Sequence, residues 1–339
     1  MKLLILTNNP NRASFKQRIG VYFDTLQAGG IDCEIAKIPA GSLARRKLFK
    51  RAAHFDGVFL HKKGLNPLDA FWLRRYSRKI IYNFDDAVMY SDKNPERYSR
   101  SHFVPFRRSV RLADMVICGS SYLAEHARPF NSNVKILPLG LKVNDYDCDS
   151  HADEDDKVRL VWVGSESTLS YLEEIKPAIE QIATRFDNVV LRIICDDFPE
   201  FENISVEKRL WSKDTLATDL ATSDIGLAPL PDNPFTRGKC SFKVLEYSAA
   251  GLAVVASPVG TNASHVRENT TGFLAANVSE WVAKITKLIE NPQLRRKMGQ
   301  AGIKQAANFD IGIIGKELCA LITECIKKDK ATIQQEKGR

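Results

Sequence analysis

The 339 residues are 44% hydrophobic and 27% charged, an ordinary balance for a globular chain long enough to hold two domains with separate cores. The net charge of +8 hides an asymmetry: residues 1–143 hold 25 Lys and Arg against 11 Asp and Glu, net +14, and the remaining 24 and 30 give −6. Seven scattered cysteines, without a Cys-x-x-Cys or Cys/His cluster, support neither a disulfide framework nor a zinc site, and no segment approaches the ~18 apolar residues of a membrane span. The opening apolar run is four residues, too short for a secretory signal, so a reducing cytosol is the expected setting.

In chain order, the apolar run Leu3 to Leu6 reads as a buried parallel strand, followed by a polar loop and a helix carrying Ile19, Tyr22, Phe23 and Leu26 on one side. Gly29-Gly30 ends that helix, and Ile31 to Ile35 starts the next strand. Helix from about Leu43 to Ala53, strand Gly57 to His61, helix Leu68 to Tyr76 and strand Lys79 to Asn83 continue the alternation. After a longer irregular piece come a basic helix (Val104 to Leu112), strand Met115 to Cys118, helix Tyr122 to His126 and strand Val134 to Pro138. Strand and helix alternating at this spacing predict a doubly wound α/β domain over 1–143. An acidic stretch without apolar period, 144–157, reads as a linker.

From Val158 the alternation restarts: strand Arg159 to Val163, helix Leu169 to Thr184, strand Val189 to Cys195, helix Asp214 to Ala221 and strand Ile225 to Ala228. Then comes the stretch where the chemistry concentrates, Arg237 to Asn262: a cationic loop, a helix opening near Cys240 or Ser241, a turn at Gly251, a buried strand and a second loop. Arg237, Lys239 and Lys243 gather at the start of that helix, whose free N–H groups and positive dipole suit a phosphate. One turn on, Glu246 is placed to accept hydrogen bonds from sugar hydroxyls; the alternative is a solvated face with a Lys243–Glu246 pair. Helices from Ser279, Pro292 and Ile311 complete the chain, the second domain spanning 158–310.

Neither half carries Gly-x-Gly-x-x-Gly after its first strand, and no P-loop or Gly-x-Ser-x-Gly elbow occurs, which argues against dinucleotide oxidoreductases, P-loop NTPases and triad hydrolases. Aromatic residues do not interleave with the basic ones, so nucleic acid is not an expected partner.

Arg237-Gly-Lys-Cys-Ser-Phe-Lys-Val-Leu-Glu-Tyr, with Ala250-Gly251 and Val254-Val-Ala-Ser-Pro-Val-Gly260 after it, resembles the donor-binding block of glycosyltransferase family 4, in its bacterial polysaccharide and lipopolysaccharide branch. Gly164-Ser-Glu-Ser-Thr-Leu, Pro229-Leu-Pro and Phe84-Asp-Asp-Ala resemble the same branch, and the likeness runs in order from Leu3 to about Phe309. The resemblance implies a GT-B fold: two doubly wound Rossmann-like domains facing each other across a cleft, with a C-terminal helix of about 311–328 packing back on the first. It implies sugar transfer from a nucleoside-diphosphate sugar to a saccharide or glycolipid acceptor, with retention and without a metal or other cofactor.

By that resemblance Glu246 matches the second glutamate of the family's Glu-x7-Glu motif, which holds the donor ribose. The first glutamate falls at Gly238, a departure that leaves sugar contact to Lys239, Cys240 and Ser241. The loop after the first strand of the second half, Gly164 and Ser165 onward, lacks the usual cations, so Arg237, Lys239 and Lys243 stand as their substitutes at the diphosphate. Asp85 and Asp86 lie where many members carry a histidine near the transferred sugar; they are the candidate catalytic pair, with strand-end capping as the alternative. Arg12, Lys16 and Arg18 follow the first strand and are candidates for the acceptor, against solvated helix-face charge; His61 and Lys62 close a first-half strand and are candidates for acceptor or donor contact, against ordinary strand-end polarity. The +14 first half suits peripheral contact with the inner face of a membrane. Idle binding of a sugar nucleotide or glycolipid, and epimerase or hydrolase chemistry on the same fold, are the competing readings.

Overall fold

A continuous apolar run hides both faces of a strand, and the inner strands of the first half form from such runs. The computed structural model describes residues 1–147 and 155–336. Its first unit takes in Met1–Gly140, the segment Asn233–Cys240 and the chain from Ile311 onward. The elements are β1 (Lys2–Thr7), α1 (Ala13–Arg18), α2 (Phe23–Ala28), β2 (Asp32–Lys37), α3 (Ser42–Lys50), β3 (Gly57–His61), α4 (Pro67–Tyr76), β4 (Ile80–Phe84), the hairpin β5 (Tyr90–Ser91) and β6 (Asn94–Tyr98), α5 (Arg100–Leu112), β7 (Met115–Cys118), α6 (Ser121–Ala127) and β8 (Val134–Ile136). The parallel sheet runs β2-β1-β3-β4-β7-β8, so the order reverses beside β1, and ligands of such sheets gather at the strands' carboxyl ends there.

The second unit, Leu141–Asp232 with Ser241–Asp310, holds β9 (Val158–Val163), α7 (Leu169–Glu173), α8 (Lys176–Ala183), β10 (Val189–Ile194), β11 (Ser205–Arg209), α9 (Lys213–Ala221), β12 (Ile225–Ala228), α10 (Phe242–Ala249), β13 (Ala253–Ala256), α11 (Asn262–His265), β14 (Gly272–Leu274), α12 (Val278–Ile289) and α13 (Pro292–Ala306). Its sheet is again parallel throughout, in the order β11-β10-β9-β12-β13-β14. Trp162, Leu191 and Ile193 on one face and Val161, Ile194 and Val254 on the other build two cores against the helices. The fold is therefore α/β, with two parallel Rossmann-like sheets.

α14 (Ile311–Glu336) closes the chain on the first unit. Ile314, Leu318, Ile322 and Cys325 recur every three or four residues and enter one core with Leu3, Ile5, Tyr22 and Phe59.

Several expected elements are revised. The helix expected through Ile19 is interrupted: Ile19 leaves helical backbone at φ −130° and a 3-10 turn, Gly20–Tyr22, precedes α2. The helix expected over Leu169 to Thr184 is split into α7 and α8, because Pro177 lacks the N–H that would continue the ladder. β5, β6, β11 and β14 are additional strands: the first three are mostly polar, and β14, Gly-Phe-Leu, is only three residues long, so none shows a strand-length apolar run. Of the acidic stretch, 148–154 lie outside the described residues, and Val143–Tyr146 forms a 3-10 turn.

Candidate active site

In the first unit the carboxyl ends of β3 and β4 are neighbours, with His61 paired in register to Asn83. Lys62 then leaves β3 in left-handed backbone, φ +51°, which non-glycine residues seldom adopt. That turn aims its side chain along the β4 end, where Nζ lies 2.8 Å from Asp85 Oδ1 and 2.6 Å from Asp86 Oδ2. Burial opposes the ammonium charge, but Asp85 and Asp86 outweigh it and hold Lys62 well above the usual lysine range. Burial likewise opposes ionisation of Asp86, yet Lys62 first and Lys239 second hold it below the usual carboxylate range. Lys239 Nζ stands 3.9 Å from Asp86 Oδ1 and over the Phe235 ring. Asp86 is thus an anion with poor affinity for a proton.

Beneath this cluster Asn83 organises an inner network. Its Nδ2 donates to Ile117 O at 3.2 Å, leaving Oδ1 to accept from Arg18 Nε at 3.4 Å and from His61 Nδ1 at 3.2 Å. His61 therefore carries its proton on Nδ1, and burial pushes its pKa down to about 4, leaving a neutral ring with a bare Nε2. Arg18 is buried too, its Nη1 donating to Leu137 O at 2.7 Å and Pro138 O at 3.0 Å. It is neither a solvated nor a helix-face charge, whereas Arg12 and Lys16 are exposed about α1.

The segment Asn233–Cys240 joins this unit through specific bonds: Tyr122 Oη donates to Pro234 O at 2.9 Å, and Cys240 Sγ to Asp85 O at 3.0 Å. Cys240 is buried, and burial raises its thiol pKa, so it is no thiolate. Gly238 packs on the turn after Asp86: a Cβ there would lie 2.5 Å from Ala87 Cβ and 2.9 Å from Ala87 N. The glutamate that the resemblance led one to expect at 238 has no room for even its first carbon. Arg237 and Lys239 thus belong to the first unit, while Lys243 opens a helix of the second.

In the second unit Ser241, Thr261 and Lys243 gather at the start of α10. Ser241 precedes the helix in left-handed backbone, φ +48°, and its Oγ accepts from Thr261 Oγ1 at 2.7 Å. Lys243 Nζ rests 4.2 Å above the Trp162 ring, a cation–π contact that holds the ammonium at the helix start. Trp162 is fully buried core, and its ring explains Gly164: a Cβ at 164 would lie 2.0 Å from Trp162 Cη2. Ser165 is engaged within its own loop in a capping box with Thr168.

Glu246 faces inward from α10 and is only 7% exposed. Its Oε1 accepts from Tyr146 Oη at 3.1 Å. Burial pushes its pKa up to about 7, the Tyr146 hydrogen bond and the Lys243 charge countering only in part. A groove of about 1190 Å³ in this unit is lined by Val158, Asn188 and Asp224, at the amino ends of the strands, the edge opposite α10's first turn.

Two contributors were not among the candidates read from sequence, Asn83 and Tyr146; Lys62 was, beside His61 at the strand end. Lys62 adjoins His61, and only its backbone conformation reveals its direction. Tyr146 lies in the acidic stretch read as a linker, between Asp145, which pairs with Lys142 at 2.8 Å, and Asp147.

Residues 150–291 match the family model described as "Glycosyl transferases group 1". A search of curated proteins returns no match. Among solved structures, sucrose-phosphate synthase from Thermosynechococcus elongatus superposes with a TM-score of 0.76 at 14% identity, covering 95% of this chain and 98% of that one. Anabaena HepE in complex with UDP gives 0.72 at 17%, covering 95% and 100%. A putative UDP-N-acetylglucosamine 2-epimerase from Listeria monocytogenes gives 0.62 at 12%, covering 96% and 97%. At such identities the likeness establishes the fold and leaves the chemistry to the residues. The chain thus has a GT-B fold, and its residues 150–291 match a glycosyl transferase domain.

Proposed function

We propose that the chain is a retaining glycosyltransferase of the family 4 type that moves a sugar from a nucleoside-diphosphate sugar to a saccharide or glycolipid acceptor. It does so without a metal, in bacterial cell-surface glycan synthesis at the cytoplasmic face of the membrane. The observation that carries this reading is Glu246, a buried carboxyl one turn into α10, inside the stretch matched by the transferase model and steadied by Tyr146. A buried carboxyl whose hydrogen bond and neighbouring ammonium offset its burial only in part is a costly feature unless a ligand's hydroxyls complete it, and a ribose diol does so.

In the second unit, Lys243 on its Trp162 platform and the first-turn N–H groups of α10 meet the diphosphate, with Gly164 and Ser165 forming the neighbouring loop. Negative charge grows on a departing diphosphate, so fixed positive charge there favours the transition state over the ground state. In the first unit, Asp86 held anionic by Lys62 and Lys239 orients an acceptor hydroxyl as a hydrogen-bond acceptor, with Asp85 sharing the same ammonium. Arg237, Lys239 and Cys240 supply polar groups beside it, and Arg12, Lys16 and the His61–Asn83–Arg18 network flank the acceptor side.

The experiment is a panel of UDP-, GDP-, ADP- and dTDP-sugars with nucleotide release as readout. Release that requires an acceptor supports transfer, and release without one means hydrolysis or epimerisation. Binding without release means an idle sugar-nucleotide binder, the second reading that Gly238 against Ala87 favours.

A further inference from the structure

Helices α3 and α4 start at the carboxyl edge of the first sheet, since α3 follows β2 and α4 follows β3. Leu43 in the first turn of α3, Leu68 in the first turn of α4 and Phe71 one turn later are 82%, 61% and 58% exposed. Isolated exposed apolar residues need no explanation. Here they share one surface, because Arg45 pairs with Asp69 at 2.9 Å and the Arg46 guanidinium lies 4.2 Å over the Trp72 ring, joining the two helices. Trp72 in turn packs edge-on against Phe71 and stacks on Tyr76.

The remaining residues of this outward stripe are cations. Arg46, Lys47 and Lys50 follow Leu43 at helical spacing, and Arg75 follows Leu68 and Phe71; all four are exposed. The one carboxylate in these two helices, Asp69, is buried against Arg45. A groove of about 680 Å³ adjoins them at the ends of β1, β2 and β3; Lys37, Arg45 and Lys63 line it, without a carboxylate. Large apolar side chains set among lysines and arginines, with Trp and Tyr alongside, match the composition of a membrane interface.

We propose that this α3–α4 rim seats the first unit on an anionic phospholipid bilayer. Leu43, Leu68 and Phe71 enter the acyl boundary, while Arg46, Lys47, Lys50 and Arg75 meet the headgroup phosphates. The inference rests on the membrane-face reading above and adds where the contact falls. Leu43 and Leu68, in the first turns, lie at the same edge of the sheet as Lys62, Asp85 and Asp86, so an acceptor anchored by a lipid phosphate reaches those groups from the surface that holds it.

The test is sedimentation of the full chain with phosphatidylcholine vesicles, alone or with about a third phosphatidylglycerol. Binding is expected to rise about ten-fold or more with the anionic lipid and to fall back in high salt. Two triple variants, Leu43→Ser/Leu68→Ser/Phe71→Ser and Lys47→Glu/Lys50→Glu/Arg75→Glu, each lose it. Both keep the wild-type thermal shift with nucleoside diphosphate, which shows that they fold. Leu210→Ser/Trp211→Ser, an exposed pair in the second unit, leaves vesicle binding unchanged. Wild-type binding that survives in both triple variants overturns the rim and spares the membrane reading. Equal binding to neutral vesicles overturns the anionic partner, and no binding at all overturns both. Acceptor-dependent nucleotide release with a soluble saccharide is scored separately and judges the transferase reading alone.

Discussion

Lys62 shows how one backbone conformation creates a site. Left-handed backbone costs a side-chain-bearing residue about 1–2 kcal/mol, and it persists here because two carboxylates take the ammonium. Lys62→Gly relieves that strain and removes the charge, whereas Lys62→Met removes the charge alone. Both are expected to lower kcat about a hundred-fold and to shift the acid limb of the rate profile upward as Asp86 regains a proton, while nucleoside-diphosphate affinity is unchanged. Loss in Lys62→Met but not in Lys62→Gly would assign the effect to the backbone instead.

Glu246 offers a test by pH at the same scale. Its pKa is raised from 4.5 to about 7, so the native state holds a proton that the unfolded chain releases. Its contribution to stability is therefore complete below about 4.5 and is lost as pH rises to about 7, on the order of 3 kcal/mol in all. A ribose diol donates to the ionised form, so nucleoside-diphosphate affinity rises through about pH 7 in wild type more steeply than in Glu246→Gln, by calorimetry. Gly238 is a third case. Gly238→Ala is expected to cost about 1–3 kcal/mol by overpacking on Ala87, and Ala87→Gly to recover part of it in a double-mutant cycle.

At the level of elements, burial on both faces made β1, β3, β4, β7, β9, β10, β12 and β13 readable as apolar runs. The edge strand β11, Ser-Val-Glu-Lys-Arg, keeps solvent on one side and carries no such run, so pairing with β10 rather than composition defines it. α14 was readable as an amphipathic helix from its apolar period, but which core that stripe enters depends on residues some three hundred positions earlier, Leu3 and Ile5 among them. Leu318 is 1% exposed in that core. Leu318→Ala is accordingly expected to cost about 2–5 kcal/mol in denaturant unfolding. A much smaller cost would mean that α14 merely rests on the surface.

For the molecule as a whole, among the described residues each unit holds one buried histidine whose pKa is pushed down to about 4 by burial: His61 in the first, His265 in the second. A depressed histidine gives its full stability above its unfolded value of 6.5 and loses it as pH falls toward 4. In the second unit Glu246 works in the opposite direction over nearly the same range. Lowering the pH from 6.5 to 4.5 is therefore expected to weaken the first unit more than the second, seen by hydrogen exchange as earlier loss of protection in β1, β3 and β4 than in β9, β12 and β13. Equal loss in both units would mean that Glu246 is ionised in the native state.

Two α/β halves, the positions of their inner strands along the chain and the cationic approach to Glu246 were present as local patterns, because periodicity and glycine placement act over a few residues. The state of the site was not. Tyr146 reaches Glu246 across 100 residues, Gly238 is compelled by Ala87, Arg18 is drawn inside by the carbonyls after β8, and two aspartates share one ammonium because β3 ends beside β4. Charge, tautomer and the room for a side chain depend on whatever distant chain packs alongside, and only folding brings those neighbours together.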